Sequence, residues 1–212
     1  MATYQPLGSQ APWRQLTVDA SDWQQADPAL LATMLTQLHW IRAFEEAVLD
    51  LAAAGLVHGP AHSSVGQEGG AVGSVLALGA GDQINGSHRG HHQFLAKALQ
   101  HVAPLGLDPR HPLTPAIDEV LHKTLAEIMG LAQGYCRGRG GSMHLRWLED
   151  GALGTNAIVG GGVPLAAGAA WAHRHAGTDR VAVTYFGDGA VNIGSVLETM
   201  NPVSYTHLTL PT

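Results

Sequence analysis

The sequence predicts an α/β fold in which helices flank a parallel β-sheet, and three observations lead to this prediction. Segments with helical spacing of apolar residues alternate with glycine-rich turns along the chain. Residues 181–186 (VAVTYF) form a β-branched and aromatic run of the kind found in strands buried on both faces. This run leads directly into Gly187-Asp188-Gly189 and then into a helical pattern. Strand, glycine turn and helix in that order are typical of parallel sheets, which bind ligands at the carboxyl ends of their strands.

Composition and charge exclude several classes of function. The 212 residues suffice for one domain with a substantial core, and the net charge of −6 offers no basic surface for nucleic acid. No run of 18 or more apolar residues is present to cross a membrane, and residues 1–13 lack the pattern of a secretory signal. The single cysteine, Cys136, fits a reducing compartment, so we predict a cytoplasmic protein. With charged residues at only 13%, we predict a subunit of a larger assembly.

We divide the chain into three parts. Residues 1–26 lack periodicity and are predicted to form an arm that docks through Trp13 and Trp23. Residues 27–201 are predicted to form the α/β domain. Residues 202–212 (PVSYTHLTLPT) carry no charge, and Pro202 is predicted to end the last helix.

Helices are predicted from their capping residues and their apolar periodicity. Arg42, Glu45 and Glu46 in the first helix are predicted to form a solvated face with local ion pairs. The helix predicted after 160–164 is built from alanine and glycine, which indicates close packing against either a neighbouring subunit or a tight core. The helices are predicted to run from Asp27-Pro28 to Gly55, over 65–78 behind a capping box of Ser64 and Gln67, from Thr114-Pro115 to Gly134, and after 160–164 (GGGVP).

Two segments have the chemistry of anion receptors. In 87–92 (SHRGHH) the Arg89 guanidinium offers a planar fork of donors to a phosphate or carboxylate. The histidines of this segment could instead bind a metal, although their spacing does not match the strong zinc patterns. The second segment, 134–145 (GYCRGRGGSMHL), either orders around an anion or is a mobile surface loop.

Asp188 is the candidate metal ligand. A carboxylate repels phosphate, but Mg²⁺ bridging Asp188 to a diphosphate would remove that conflict, since Mg²⁺ typically uses one or two carboxylates plus substrate phosphates. The competing interpretation is that Asp188 only caps the following helix. A dinucleotide fingerprint does not fit, because Asn192 stands where its third glycine would be needed.

From about Leu38 to Asn201 the chain resembles the α subunits of thiamine diphosphate-dependent 2-oxo acid dehydrogenases. These are the decarboxylating components of the pyruvate, branched-chain 2-oxo acid and acetoin dehydrogenase complexes. The motifs that carry the resemblance follow the family's order over about three-quarters of the chain. They are IRAFEEAV, GPAHSSVGQEGGAVG, SHRGHH, GRGGSMHL, NAIVGGGVPLAAGAAWA and FGDGAVNIG.

The resemblance implies a thiamine diphosphate-binding fold and specific roles for individual residues. The family often has Tyr-Arg where this chain has His88-Arg89. Ser142 and His144 lie in a loop that is structural or close to the cofactor, and we assign them no chemistry. The implied roles are Mg²⁺ binding for Asp188, diphosphate binding for Arg89, Gly187, Gly189 and Ala190, contact with the aminopyrimidine ring for Ile158 and Val159, and a catalytic role on the substrate side for His62.

The activity implied by the resemblance is oxidative. The enzyme decarboxylates a 2-oxo acid with thiamine diphosphate and Mg²⁺, and it transfers the acyl group to the lipoyl disulfide of an acyltransferase partner. The α subunit works with a β subunit, separate or fused, in a heterotetramer or a dimer of fused chains, and the β portion supplies the activating glutamate. Two alternatives stay open: a non-catalytic remnant or assembly subunit, and a transketolase-like thiamine enzyme.

The resemblance ends at Asn201. The family continues into another strand and an asparagine pair that completes the metal site, whereas 202–212 match nothing in the family. We therefore expect a C-terminally truncated domain followed by foreign sequence. We also expect this chain alone to bind thiamine diphosphate weakly or not at all, and to be inactive.

Overall fold

The computed structural model describes residues 16–103, 107 and 110–205, with the backbone alone for 204–205. Single 3₁₀ turns cover Gly141–Met143 and Asp188–Asn192. The regular elements are α1 (Ala20–Gln25), α2 (Pro28–Ala53), α3 (Glu68–Leu76), β1 (Gln83–Ser87), α4 (His91–Val102), α5 (Pro115–Ile128), β2 (Ala152–Asn156), α6 (Gly162–His175), β3 (Ala182–Thr184) and α7 (Gly194–Tyr205).

The three strands form one parallel sheet in the order β2-β1-β3, which confirms the predicted α/β class. Ile84 of β1 is in register with Ala152 of β2 and with Val183 of β3. The expectation that 181–186 is a strand buried on both faces is wrong, because β3 lies at the edge of this sheet and its residues are only half-buried. The central strand is β1, whose short polar sequence gives no such signal.

The main core lies where α2, α3 and α4 pack against one another and against β1. Ile41 of α2, Val72 of α3 and Leu95 of α4 are each completely buried. Burial of each such side chain stabilises the fold by roughly 1.5–3 kcal/mol. The core therefore fixes the position of β1 and of the segments that follow it.

Local capping signals predict two helices correctly. The Asp27 side chain accepts a hydrogen bond from the Ala29 N–H (2.9 Å), with Pro28 at the first helical position. Thr114 caps α5 in the same way through the Ile117 N–H. Both boundaries depend only on residues next to one another in the chain, so the sequence is sufficient to predict them.

The helix predicted over 65–78 begins three residues later, at Glu68. Ser64 does not cap it, because Ser64 Oγ has no hydrogen-bond partner among the described residues and Gln67 makes no side-chain capping bond.

Helix α4 was not predicted at all. Its residues 91–99 are all buried, including the polar side chains of His91, His92, Gln93 and Lys97, so polarity does not mark which of its faces meets solvent.

The structure differs from the sequence pattern near both ends of the described chain. The predicted arm contains the helix α1, capped by Asp19, and Trp23 on it is 61% exposed, so the docking of the arm stays a prediction. Trp13 lies outside the described residues. Pro202 does not end the last helix, since α7 includes it and continues to Tyr205. Proline removes one main-chain hydrogen bond and bends a helix, but here it does not stop it.

Helix α6 forms where predicted, but it does not lie in a tight core. Leu165 and Trp171 on this helix are 59% and 50% exposed. Packing against a neighbouring subunit stays a prediction. In the part of the chain that the structure describes, no helix combines the length and the apolar character needed to cross a membrane.

Candidate functional site

A cleft of about 370 Å³ opens where the carboxyl ends of β1 and β3 meet. In a parallel sheet these ends lie at one edge, which is where α/β proteins bind ligands. The structure thus brings together Arg89 and Gly187, two predicted cofactor-binding residues that are 98 positions apart. The cleft is lined by Gln67, Ser87, His88, Arg89, Gln93, Thr184, Tyr185, Phe186 and Gly187.

Arg89 supplies the positive charge of this cleft. One of its guanidinium N–H groups donates to the carbonyl oxygen of Ser63, and its main-chain N–H donates to Ser87 Oγ (3.3 Å). A guanidinium has five N–H donors, so donors remain available to an anion in the cleft. The hydrogen bond to Ser63 also ties the cleft to the segment that carries His62.

Two lining residues carry buried polar atoms without a partner among the described residues. These atoms are Gln93 Oε1 and Thr184 Oγ1. A buried polar atom without a hydrogen bond costs about 1–3 kcal/mol. The Thr184 hydroxyl can donate to an anion, as the Arg89 guanidinium can, whereas Gln93 Oε1 can only accept and needs a donor such as water. Neither residue was predicted, because neither belongs to a recognisable motif.

His62 lies beside the Arg89 segment. Its ring packs edge-on against His88 with 4.7 Å between ring centroids, and its main-chain N–H donates to Ser142 Oγ (3.4 Å). Burial, together with the nearby His88, Arg89 and His91, lowers the pKa of His62 below its usual value. The ring is therefore neutral near pH 7 and able to accept a proton or a hydrogen bond.

A fully buried network underlies this pair of segments. His91 Nδ1 lies 2.9 Å from Glu45 Oε1, and His91 Nε2 lies 2.9 Å from both oxygens of Ser142. Burial by itself would raise the pKa of the Glu45 carboxyl, but the hydrogen bond and charge interaction with His91 and the hydrogen bonds from Ser64 and Ser63 together outweigh it and lower the pKa. The other Glu45 oxygen accepts the Ser64 N–H. The network thus holds the segments 62–64 and 142 in place.

The predicted solvated face of the first helix is wrong in two of its three members. Glu45 is completely buried in the network, and only Glu46 is exposed as expected. Arg42 pairs with Glu68 of α3, at 2.7 Å from Nε to Oε1, rather than with a neighbour on its own helix. The hydrogen bond from Arg42 lowers the pKa of Glu68 to about 2. These partners are distant in sequence, so helical spacing could not identify them.

Asp188 occupies the 3₁₀ turn that follows β3, immediately after Gly187, and it is exposed. Gly189 is exposed beside it and Ala190 is buried, and neither lines the cleft. Among the described residues no three His, Cys, Asp or Glu side chains are grouped to hold a metal ion. A single carboxylate nevertheless fits Mg²⁺ that takes its other ligands from phosphate and water.

Ile158 and Val159 follow the carboxyl end of β2, at the same edge of the sheet. They are 71% and 53% exposed, and they do not line the cleft. Large apolar side chains this exposed next to a polar cleft are suited to contact the apolar part of a ligand or another protein surface. Their predicted contact with the aminopyrimidine ring stays a prediction.

Comparison with known proteins identifies relatives of this chain. Residues 110–209 match the family described as "Dehydrogenase E1 component". The α subunit of acetoin:2,6-dichlorophenolindophenol oxidoreductase from Bacillus subtilis is 42% identical over 161 residues, which are 76% of this chain and 42% of that protein. The α subunit of the pyruvate dehydrogenase E1 component from Rhizobium meliloti is 38% identical over 161 residues, 76% of this chain and 40% of that protein.

A third relative extends the similarity slightly. The corresponding α subunit from Zymomonas mobilis is 37% identical over 177 residues, covering 83% of this chain and 44% of that protein. The chain thus spans less than half the length of these relatives. The family match includes part of the segment 202–212, and the predicted domain boundary at residue 201 stays a prediction. The match and the relatives show that this chain is similar to dehydrogenase E1 components, a family that depends on thiamine diphosphate, and to their α subunits.

Proposed function

We propose that this chain is the α subunit, or α portion, of a thiamine diphosphate-dependent 2-oxo acid dehydrogenase. The observation that carries the proposal is the cleft at the carboxyl ends of β1 and β3. The Arg89 guanidinium and the hydroxyl of Thr184, whose Oγ1 has no partner among the described residues, belong to residues that line it. Both groups can donate hydrogen bonds to an anion such as a diphosphate.

The residues of this chain would hold the cofactor along the edge of the sheet. Arg89 binds the diphosphate, with Gly187, Gly189 and Ala190 beside it, because glycine allows the main chain to approach phosphate closely. Asp188 would hold Mg²⁺, an ion that typically uses one or two carboxylates together with substrate phosphates. Ile158 and Val159 contact the aminopyrimidine ring. When bound, the cofactor accepts the electron pair that is released as carbon dioxide leaves.

His62 acts on the substrate side. It is neutral near pH 7, since burial and the neighbouring His88, Arg89 and His91 lower its pKa. A neutral imidazole can donate its N–H to an oxygen of the 2-oxo acid or take up a proton at its other nitrogen during turnover. Its hydrogen bond to Ser142 and its packing against His88 restrict its orientation.

The remaining parts of the proposal concern the assembly. A β subunit, separate or fused, would cover the apolar side chains that α6 and α7 expose, such as Leu165, Trp171 and Leu197. The acyl group would pass to a lipoyl disulfide on an acyltransferase, which makes the enzyme an oxidoreductase with a disulfide acceptor. We place this assembly in the cytoplasm.

A chimera tests the proposal, since the chain spans less than half of its relatives. Residues 38–201 replace the matching segment of the Bacillus subtilis α subunit, which is co-expressed with its β subunit. Dye reduction is then measured with pyruvate, branched-chain 2-oxo acids, acetoin and, as the transketolase arm, sugar phosphates. We expect activity with a 2-oxo acid or acetoin.

Matched variants decide whether the proposed residues are responsible. Asp188→Asn and Arg89→Ala should each lower the activity by at least the ~10–100-fold that loss of even an outer-shell metal partner costs. Arg146→Ala, which removes an exposed arginine outside the cleft, is the control. A folded chimera that uses only sugar phosphates, or whose activity survives Asp188→Asn, would contradict the proposal.

A further inference from the structure

Glu127 is a buried acidic residue in an unexpected place. It lies in the last turn of α5, where the partial negative charge of the helix end disfavours a carboxylate. Its side chain is nevertheless completely buried. Every hydrogen bond that the described residues give to this carboxylate comes from main-chain N–H groups rather than from a lysine or arginine. Such an arrangement requires an explanation, because an uncompensated buried carboxylate is costly.

The compensation comes from the glycine- and arginine-rich loop. Glu127 Oε2 accepts the N–H groups of Cys136 (2.7 Å) and Gly138 (2.9 Å). Glu127 Oε1 accepts those of Gly140 (2.7 Å) and Gly141 (3.2 Å). Successive main-chain N–H groups that converge in this way form an anion-binding concavity, and here the anion is a side chain of the same protein.

The loop sequence is adapted to this close approach. A Cβ on Gly134 would lie 2.5 Å from the Cα of Glu127, and a Cβ on Gly138 would collide with the carbonyl group of Gly130. Gly138 also has φ = +72°, a conformation that favours glycine. The sequence alone does not show whether this loop orders around an anion or is a mobile surface loop. In the structure the loop is ordered around the Glu127 carboxylate.

The loop also leads into the candidate site. Gly141, the last donor to Glu127, precedes Ser142, whose two oxygens contact His91 Nε2 and whose Oγ accepts the His62 N–H. The last donor to Glu127 is therefore adjacent in the chain to the residue that holds both histidines. Displacement of the loop would displace Ser142, and with it the support of His62.

We propose that Glu127 is a positioning residue: its carboxylate is the internal anion around which 134–141 fold, and this fold places Ser142 against His62 and His91. The histidine step rests on the proposed function, whereas the folding of the loop does not. A direct consequence is that removal of the Glu127 side chain leaves a site for a small carboxylate, lined by four N–H donors.

Limited proteolysis of the cofactor-free 212-residue chain tests the loop. Arg137 and Arg139 are exposed trypsin sites within it. Glu127→Ala should raise the rate of cleavage at these two arginines at least tenfold, and formate should restore protection where chloride at equal ionic strength does not. Glu119→Ala is the matched control, since Glu119 is on the same helix with its side chain 61% exposed. It should leave cleavage unchanged.

A second variant and NMR of the two histidine rings test the role of Glu127 further. If Glu127→Ala does not fold, Glu127→Gln takes its place, because the amide keeps the shape but faces the N–H donors with its own NH₂ group. Unchanged cleavage in either folded variant, or protection of Glu127→Ala that formate does not restore, would overturn the role of Glu127 in ordering the loop. NMR resonances of the His62 and His91 rings should shift in the variant and return with formate. Unshifted resonances would overturn the positioning step while leaving the proposed cofactor cleft untouched.

Discussion

Two regions of the molecule differ in how completely they bury their apolar side chains. Residues 27–156 contain the main core, with fully buried side chains such as Ile41, Leu95 and Leu99. Residues 157–205 expose large apolar side chains on α6, on both sides of β3, and on α7, including Leu165 and Leu197 at 59% and 60%. The first region therefore buries a larger share of its apolar side chains, whereas the second presents surfaces suited to contact with further protein.

The candidate site lies across the boundary between these regions. His62 and Arg89 belong to the first region and are held by buried hydrogen bonds around Glu45. Asp188 belongs to the second region and is exposed at the end of an edge strand. From this contrast we propose that the first region supplies the guanidinium of the anion site, and that a neighbouring surface completes the metal site beside Asp188.

The largest expected loss of stability comes from a substitution in the buried network of the first region. Glu45→Ala removes the partner of buried His91 and the acceptor of the Ser64 N–H, and we expect it to lower the free energy of unfolding by about 3–5 kcal/mol. Glu46→Ala, at the exposed neighbouring position, should change it by less than about 0.5 kcal/mol. Urea denaturation followed by circular dichroism measures both. Similar values for the two variants would show that the network does not stabilise the first region.

The same change from leucine to alanine, made once in each region, compares the two regions directly. Leu95→Ala creates a cavity in the main core and should lower the free energy of unfolding by about 2–5 kcal/mol. Leu165→Ala removes a side chain that is 59% exposed on α6 and should change it by no more than about 0.5 kcal/mol. The same denaturation experiment measures both. A large loss for Leu165→Ala would mean that the second region is packed as tightly as the first.

A smaller effect is expected in the pH dependence of stability, from a buried carboxyl of the first region. Burial raises the pKa of Asp150, beside β2, to about 7, and its Oδ2 has no partner among the described residues. The folded state then binds more protons than the unfolded state between the usual and the raised pKa, so stability is greatest at low pH and falls as the pH rises towards 7. We expect this carboxyl to contribute a loss of about 2 kcal/mol between pH 5 and pH 8.

Asp150→Asn isolates that contribution. The amide oxygen can still accept the Ala152 N–H, while the titrating proton is removed. The fall in stability between pH 5 and pH 8 should therefore become smaller, whereas Glu149→Gln at the exposed neighbouring position should leave it unchanged. Equal slopes in the wild type and Asp150→Asn would contradict the assignment.

The features that could be predicted from the sequence depend on interactions between residues close together in the chain. The Asp27 and Thr114 caps depend on adjacent residues and were predicted correctly. The glycine turn at Gly187 was likewise visible in the sequence, and the structure brings it to the cleft with Arg89. Local chemistry of this kind is encoded in a few consecutive positions.

The missed features depend on contacts between distant segments. Glu45 and His91 are 46 positions apart, so helical spacing assigned Glu45 to a solvent face although it is completely buried. Gln93 and Thr184 contribute to the cleft only because β1 and β3 are neighbours in the sheet. The edge position of β3 could not be predicted either, since a β-branched run does not specify how many neighbours its strand has.

Hydrogen–deuterium exchange of the chimera, assembled with its β subunit, tests directly whether the cleft between the two regions holds the diphosphate. Exchange is measured with and without thiamine diphosphate and Mg²⁺. We predict that the cofactor slows exchange in 87–89 and in 184–190 together, on both sides of the boundary, and that Arg89→Ala abolishes this protection. Protection confined to one of the two segments, or unchanged in Arg89→Ala, would contradict the claim that the cleft joining the two regions holds the diphosphate.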